Sequence, residues 1–212
     1  MEKFLKRSFD IIFGLLLGLI TLPFVLIAML LVFLFSPKSG SPLFLQTRIG
    51  FKGKEFRMIK LRTMTNDKDE NGELLPDEKR LKWWGKILRK TNVDELTQIL
   101  HILAGQMSFI GPRPLLPKEM LVMTTKEQEK RQSVRPGIAG WESVNEDKSS
   151  SRAEMAQFDL YYVDNWSLKL DAKIFFMTLF GIFRRPNDSL RAPKLDEKEI
   201  EEAKEKEQED KD

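Results

Sequence analysis

The sequence predicts an α+β protein, mainly helical, with a small β-hairpin and an N-terminal membrane helix interrupted by proline. Three observations carry that prediction. Residues 11–35 form a run of 25 without a single charge. Two short β-prone stretches flank Gly50-Phe51-Lys52-Gly53. The remainder is dominated by segments with helical spacing of apolar residues.

The apolar run would span about 37 Å as a straight helix, enough for a hydrocarbon core of about 30 Å. It is too long for a secretory signal core and lacks a small-residue cleavage site, so it is expected to remain in the mature protein. Pro23 sits at its midpoint and removes the hydrogen bond to the Leu19 carbonyl, which favours a kink. Thr21 is placed to donate its hydroxyl to a freed carbonyl. Lys3, Lys6 and Arg7 precede the run, and Lys38, Arg48, Lys52, Lys54 and Arg57 follow it. A helix that crosses once normally carries its positive charge on one side. Basic flanks on both sides favour a re-entrant helix over a spanning one, and on the flanks alone both stay open. Gly14 and Gly18 form a small-xxx-small pair suited to packing a partner helix, so a homodimer is one reading of the pair.

The rest of the chain reads in order. Leu43 to Ile49 and residues 55–62 form a hairpin, with Lys60 and Arg62 two apart and hence on one face. Residues 65–79, with Asn71-Gly72 and Pro76, read as a loop. Thr91 or Asn92 is placed to cap a following helix, with Asp94 and Glu95 in its first turn. Leu96, Ile99, Leu100 and Leu103 have the spacing of its buried face, and Gly105 ends it. Residues 124–132 are helix-prone, and Pro136, Gly137 and Gly140 mark a loop. A last apolar helix over 166–185, bracketed by Lys169, Lys173, Arg184 and Arg185, suits the membrane interface. Trp83 and Trp84 read either as interface anchors or as core. His101, the only histidine, reads as structural, and so do Tyr161 and Tyr162.

Composition excludes some chemistry. Without cysteine there is no disulfide, thiolate metal site or thiol nucleophile. The net charge of +3 conceals an asymmetry: residues 194–212 carry ten acidic and five basic side chains, leaving the rest at +8. Such a basic body attracts phosphorylated ligands, anionic lipid or nucleic acid. The acidic tail reads as a solvated extension, helical or disordered. The expected division is therefore a membrane segment at 1–36, a catalytic domain at 37–186 and a charged tail at 187–212.

Asp94-Glu95 in a first helical turn has an ordinary explanation in the helix dipole. A helix N-terminus also binds phosphate, and the dipole is expected to keep Asp94 ionised. Lys60, Arg62, Arg89 and Arg113 are available to neutralise a diphosphate. Carboxylates beside a diphosphate suggest Mg²⁺.

Arg89-Lys90-Thr91-Asn92-Val93-Asp94-Glu95-Leu96-Thr97-Gln98 and Met107-Ser108-Phe109-Ile110-Gly111-Pro112-Arg113-Pro114 resemble the core of the bacterial sugar transferase family. So do Lys6-Arg7-Ser8-Phe9-Asp10, Arg48-Ile49-Gly50, Lys60-Leu61-Arg62-Thr63-Met64, Val134-Arg135-Pro136-Gly137-Ile138 and Tyr162-Val163-Asp164-Asn165-Trp166-Ser167. The length is similar to that of minimal members with a catalytic domain only. The resemblance implies a monotopic phosphoglycosyl transferase of the bacterial inner membrane, re-entrant at Pro23 and facing the cytoplasm. It implies a UDP-sugar donor and a polyprenyl (undecaprenyl) phosphate acceptor, membrane lipid as a partner, and no nucleic acid. Asp94 is then the nucleophile that forms an aspartyl phospho-sugar, and UMP is released. Glu95 holds Mg²⁺ or assists proton transfer, Arg113 grips phosphate, and Lys60 orients Asp94 or the leaving group. The chain departs from the family pattern at Thr97 (usually Pro), at Gln106 (usually Asp), and over Glu142-Ser143-Val144-Asn145-Glu146-Asp147, which leaves a hexose or an N-acetylated amino sugar open. The competing reading is a non-enzymatic, membrane-tethered basic scaffold that binds anionic lipid or nucleic acid.

Overall fold

A 34-residue helix, α1 (Glu2–Phe35), begins the chain. At 1.5 Å per residue it is about 51 Å long. The computed structural model describes residues 1–36, 40–145, 151–182 and 196–209. Lys38, Glu146, Asp147, Arg184 and Arg185, named above, lie outside the described residues, as does the start of the acidic tail.

Helix α1 continues through Pro23. Thr21 donates its hydroxyl to the Leu17 carbonyl at 2.7 Å, two residues before the Leu19 carbonyl that Pro23 frees. Only 17% of the helix's most apolar stretch is buried within the protein, so most of its Leu, Ile and Phe side chains need another apolar medium. Both halves nevertheless pack on the same globular body. Near the start, Asp10 accepts from the Ser108 hydroxyl and the Phe109 amide. Lys6 pairs with Asp171 and donates to the Ile110 carbonyl. Near the end, Ala28 and Val32 are buried with Leu61, Trp84 and Leu88.

Strands β1 (Leu43–Ile49) and β2 (Glu55–Leu61) form the expected antiparallel hairpin, in register Leu45 with Ile59. A 3₁₀ turn at Phe51–Gly53 closes it, with Lys52 and Gly53 both left-handed. Helices α2 (Asp77–Arg80) and α3 (Trp83–Lys90) follow. The two tryptophans divide: Trp84 is buried, whereas Trp83 is exposed and meets Phe35 edge-on.

The next segment is not the regular helix the spacing suggested. Asn92 takes a left-handed conformation, φ 55°, and makes no side-chain cap. A 3₁₀ helix (Val93–Gln98) leads into α4 (Ile99–Leu103). Thr91 bonds back to the Ile87 carbonyl instead. A 3₁₀ turn eclipses residues three apart, so the inward face becomes Asp94, Thr97, Gln98, His101 and Ile102. Leu100, expected in the core, is 57% exposed. Arg7 caps the end of α4, donating to the carbonyls of Ile102 and Leu103 at 2.7 and 3.1 Å.

Strand β3 (Ser108–Ile110) pairs in parallel with β4 (Gly137–Ala139), where the sequence suggested only a loop. The approach needs glycine: a Cβ on Gly111 would lie 2.3 Å from the Arg135 carbonyl oxygen. A 3₁₀ turn (Pro117–Val122) and α5 (Thr125–Arg131) lie between them, and α5 is opened by the Thr124/Glu127 capping box. Helices α6 (Trp141–Asn145), α7 (Arg152–Asp164) and α8 (Leu168–Ile182) complete the main core. That core holds Met58, Ile102, Met107, Tyr162 and Ile174, with Phe13 and Leu17 of α1 against it.

The acidic tail is not merely solvated. Its described part is helix α9 (Glu197–Glu209), which buries Ala203 and packs Ile200 against Leu115, Met120 and Val122. Glu207 accepts from the Thr125 hydroxyl at 2.7 Å, and Lys206 pairs with Glu127 at 2.8 Å.

Candidate active site

Asp94 and Glu95 lie where the 3₁₀ helix leaves the left-handed Asn92. Asp94 is 7% exposed, and its Oδ1 has no hydrogen-bond partner among the described residues. Burial, then repulsion from Glu95, raises its pKa to about 6, against the pull of Lys60 and Arg89. The helix start was expected to keep this carboxylate acidic, but desolvation outweighs it. At pH 7 the group is still mostly ionised, and it is more basic than an ordinary aspartate.

Glu95 is handled differently. Burial opposes its charge, but Lys60 donates to its Oε1 at 2.6 Å, and Arg113 and Arg48 add attraction. Its pKa falls below the usual value as a result. Adjacent carboxylates pushed in opposite directions have different tasks available to them: Asp94 is the better nucleophile, Glu95 the permanent anion.

Three cationic candidates converge on this pair. Lys60 touches Glu95 directly. Arg89, on α3, donates to the Thr63 hydroxyl at 3.0 Å and lies within the field of Asp94. Arg113 is exposed after the buried Pro112 and acts electrostatically on Glu95. Arg62 does not join them. Strand β2 ends at Leu61, and the Arg62 guanidinium turns back to the carbonyls of Ser41 and Leu43 and to Asn66.

Two arginines that sequence reasoning left without a role hold the phosphate-gripping candidate. Arg48 donates to the Pro114 carbonyl at 3.0 Å and pairs with Glu119. Arg131 donates to the Arg113 carbonyl and pairs with the buried Asp159. Arg48 stood in a matched motif, so a signal existed. Arg131 looked like an ordinary basic residue near a helix end. The departures at Thr97 and Gln106 also meet in space: Thr97 donates to the Ile59 carbonyl, and Gln106 contacts His101, which accepts from the Ile59 amide. A surface groove of about 540 Å³ between α5 and α7 shares no residue with the site.

For metal, no group of three or more ligand-type side chains is found among the described residues. The unpartnered Oδ1 of Asp94 and the Glu95 carboxylate nonetheless suit a hard cation. Mg²⁺ is commonly held by one or two carboxylates and completed by substrate phosphate and water.

A buried, raised-pKa aspartate beside a paired glutamate and convergent cations, carried on a body with an apolar helix, defines a membrane-associated group-transfer enzyme. The chain belongs to the bacterial sugar transferase family, whose profile matches residues 1–185. It is 43% identical over 176 residues to the uncharacterized sugar transferase EpsL of Bacillus subtilis, covering 82% of this chain and 85% of that protein. It is 37% identical over 203 residues to the exopolysaccharide production protein PSS of Rhizobium leguminosarum, covering 87% of this chain and 98% of that one. Against the UDP-glucose:undecaprenyl-phosphate glucose-1-phosphate transferase of Escherichia coli the identity is 35% over 193 residues, covering 86% of this chain but only 41% of that longer protein. Membership in an enzyme family replaces the scaffold reading. Helix α9 lies beyond the matched region.

Proposed function

We propose that the chain transfers a sugar phosphate from a UDP-sugar to undecaprenyl phosphate through a covalent intermediate on Asp94. The carrying observation is the buried carboxylate oxygen of Asp94, which has no hydrogen-bond partner among the described residues and lies in the field of Lys60 and Arg89. In the first step this oxygen bonds to the β-phosphorus of the nucleotide sugar. The bond from that phosphorus to the bridging oxygen breaks, and UMP leaves with it. In the second, an oxygen of the lipid phosphate bonds to the same phosphorus and Asp94 departs as carboxylate. Two displacements through one carboxylate predict ping-pong kinetics.

Lys60 holds Glu95 as an anion beside the reacting phosphate, while Arg89 and Arg113 offset phosphate charge as it accumulates. Glu95 would hold Mg²⁺, which would supply Lewis-acid stabilisation of the phosphoryl oxygens. The relatives' names support the substrate classes: one is the E. coli transferase above, another an Aeromonas hydrophila UDP-N-acetylgalactosamine-undecaprenyl-phosphate N-acetylgalactosaminephosphotransferase, 34% identical over 187 residues.

The placement of α1 supports a monotopic arrangement, with both ends of the helix on one side of the membrane; the cytoplasmic face is part of the proposal. A straight helix that crossed a bilayer would carry one end about 30 Å from the other leaflet's surface, yet residues 6–10 and 28–32 touch one globular body. The Gly14/Gly18 face is already occupied within the chain: a Cβ on Gly14 would meet Leu103 at 3.1 Å, and one on Gly18 would meet Ile99 at 3.5 Å. A homodimer built on those glycines therefore has no support.

The test is UMP release from a panel of UDP-sugars with undecaprenyl phosphate and Mg²⁺, with and without lipid acceptor. Intact-protein mass spectrometry in the absence of acceptor is expected to find a phospho-sugar mass that maps to Asp94 and is cleaved by hydroxylamine. An adduct on Glu95 or His101 removes the proposal.

A further inference from the structure

We infer that Thr97 and His101, backed by Gln106, are positioning residues that clamp the Ile59 peptide and so set Lys60 against Glu95. The inference rests on the reaction proposed above.

Ile59 occupies β2 opposite Leu45. A strand residue points its own N–H and C=O to the same side, and here both leave the hairpin for the helix that carries Asp94. The Ile59 amide donates to Nε2 of His101 at 3.0 Å. The Ile59 carbonyl accepts from the Thr97 hydroxyl at 2.8 Å. Thr97 and His101 are four apart and both buried, at 6% and 5% exposure, on the face that also carries Asp94.

The chemistry of the histidine fixes its tautomer. Nε2 accepts, so the proton sits on Nδ1, where Gln106 Oε1 lies 2.6 Å away to receive it. The Gln106 backbone is held in turn, because its main-chain N–H donates to the His101 carbonyl at 2.9 Å. The imidazole therefore cannot turn over without breaking two contacts. His101 has no bond to Asp94 or Glu95 among the contacts described, which separates it from a general base.

The consequence lies within two residues on each side. Lys60 follows Ile59, and Glu95 lies two residues before Thr97. A clamp between the Ile59 peptide and the helix fixes the two backbones from which the Lys60–Glu95 pair, at 2.6 Å, is built. Hydrogen bonds at both ends of one residue prevent sliding along the strand and tilting about it, which a single contact would permit.

The experiment uses the full chain in lipid nanodiscs, with UDP-glucose and UDP-N-acetylgalactosamine as donors. Thr97→Val, which keeps the shape and loses the hydroxyl, and His101→Phe should lower kcat roughly ten- to a hundredfold, the scale of an ångström-sized misplacement. KM for the donor should stay within about twofold, because ground-state binding is not what is lost. Thr97→Ser keeps the hydroxyl and should retain near-normal kcat. In a Lys60→Ala background Thr97→Val should add less than about a twofold further loss, since both changes act through one group. A full additional loss there, a change confined to KM, or a wild-type kcat in Thr97→Val overturns the assignment. A second readout needs no turnover: a zero-length carbodiimide should cross-link Lys60 to Glu95 in wild type and Thr97→Ser, and much less in Thr97→Val and His101→Phe. Undiminished cross-linking in both loss variants overturns the clamp. Lost cross-linking in an enzyme that turns over no UDP-sugar leaves the clamp standing and removes the proposed reaction instead.

Discussion

Replacing Asp94 by Asn should abolish transfer and at the same time stabilise the protein. The carboxylate titrates at about 6 in the fold against 3.8 in its absence, chiefly because burial penalises its charge. A folded pKa above the unfolded one means that the ionised group costs stability at every pH above about 6. The cost shrinks as pH falls from about 6 towards 3.8 and vanishes below, where both states are protonated. Two pKa units correspond to about 3 kcal/mol. The group is only 7% exposed, so little of that is lost to solvent screening. Asn removes the charge but buries an amide beside a position that has no partner, which returns about 1 kcal/mol. A net gain of about 2 kcal/mol, or roughly 4–8 °C in Tm for a chain of this size, is expected at pH 7.5. The assay is thermal unfolding of both proteins in one detergent with chelator present, at pH 7.5 and at pH 4. Equal or lower stability of Asp94→Asn at pH 7.5, or a gain that persists unchanged at pH 4, refutes the reasoning. Wild-type kcat/KM should share the same group as its acid limb and fall as pH drops through about 6.

Arg113→Lys should lose at least about tenfold in kcat/KM, because a guanidinium fork holds phosphate in two places and an ammonium in one; near-normal turnover takes Arg113 out of the phosphate site. Cysteines introduced at Lys3 and Lys54, both exposed, should resist a membrane-impermeant thiol reagent in intact cells, and labelling of one alone indicates a spanning α1. Truncation after residue 195 should cost about 1–3 kcal/mol, since it removes the Ile200 and Ala203 contacts. Urea unfolding of the truncated protein measures the loss, and an unchanged midpoint would mean that α9 does not dock in solution.

The hairpin was legible because its signals are local: β-prone stretches on either side of Gly50-Phe51-Lys52-Gly53 need no knowledge of the rest of the chain. The same is true of α5, announced by Thr124 and Glu127. Asp94, Glu95, Lys60, Arg89 and Arg113 were found through motifs and do converge. Arg62 was misplaced because two-residue alternation holds only while the strand lasts, and β2 stops one residue short of it. Leu100 was assigned to the core because apolar spacing is the usual mark of an inward face. In a protein that contacts lipid that rule loses its force, since apolar side chains are equally at home on the outside. Polar His101 and Gln98 face inward in its place, and His101 is satisfied by the Ile59 amide and the Gln106 side chain, partners no sequence pattern announces. Strand β4 escaped notice because three residues beginning with Gly137 carry no strand signal.

Helix α1 and the Asp94 carboxylate are one mechanical unit rather than an anchor and its cargo. Helix α4 continues directly from the 3₁₀ turn that holds Asp94, and it lies on α1 at Gly14 and Gly18, where the missing side chains admit Leu103 and Ile99. Arg7 closes the far end of α4 by taking two of its terminal carbonyls, which are unsatisfied in any helix and carry the negative end of its dipole. Asp10 ties α1 to β3 through the Ser108 hydroxyl and the Phe109 amide, and β3 leads through Gly111 and Pro112 to Arg113. One face of α1 therefore sets both the carboxylate and the arginine. A polyprenyl phosphate must keep its chain in hydrocarbon and its phosphate in water, so it meets a nucleophile only if that nucleophile is held at the boundary between them. In the proposed reaction, packing α4 on an apolar helix through two glycines would hold the Asp94 backbone near that boundary without a charged side chain having to enter the hydrocarbon.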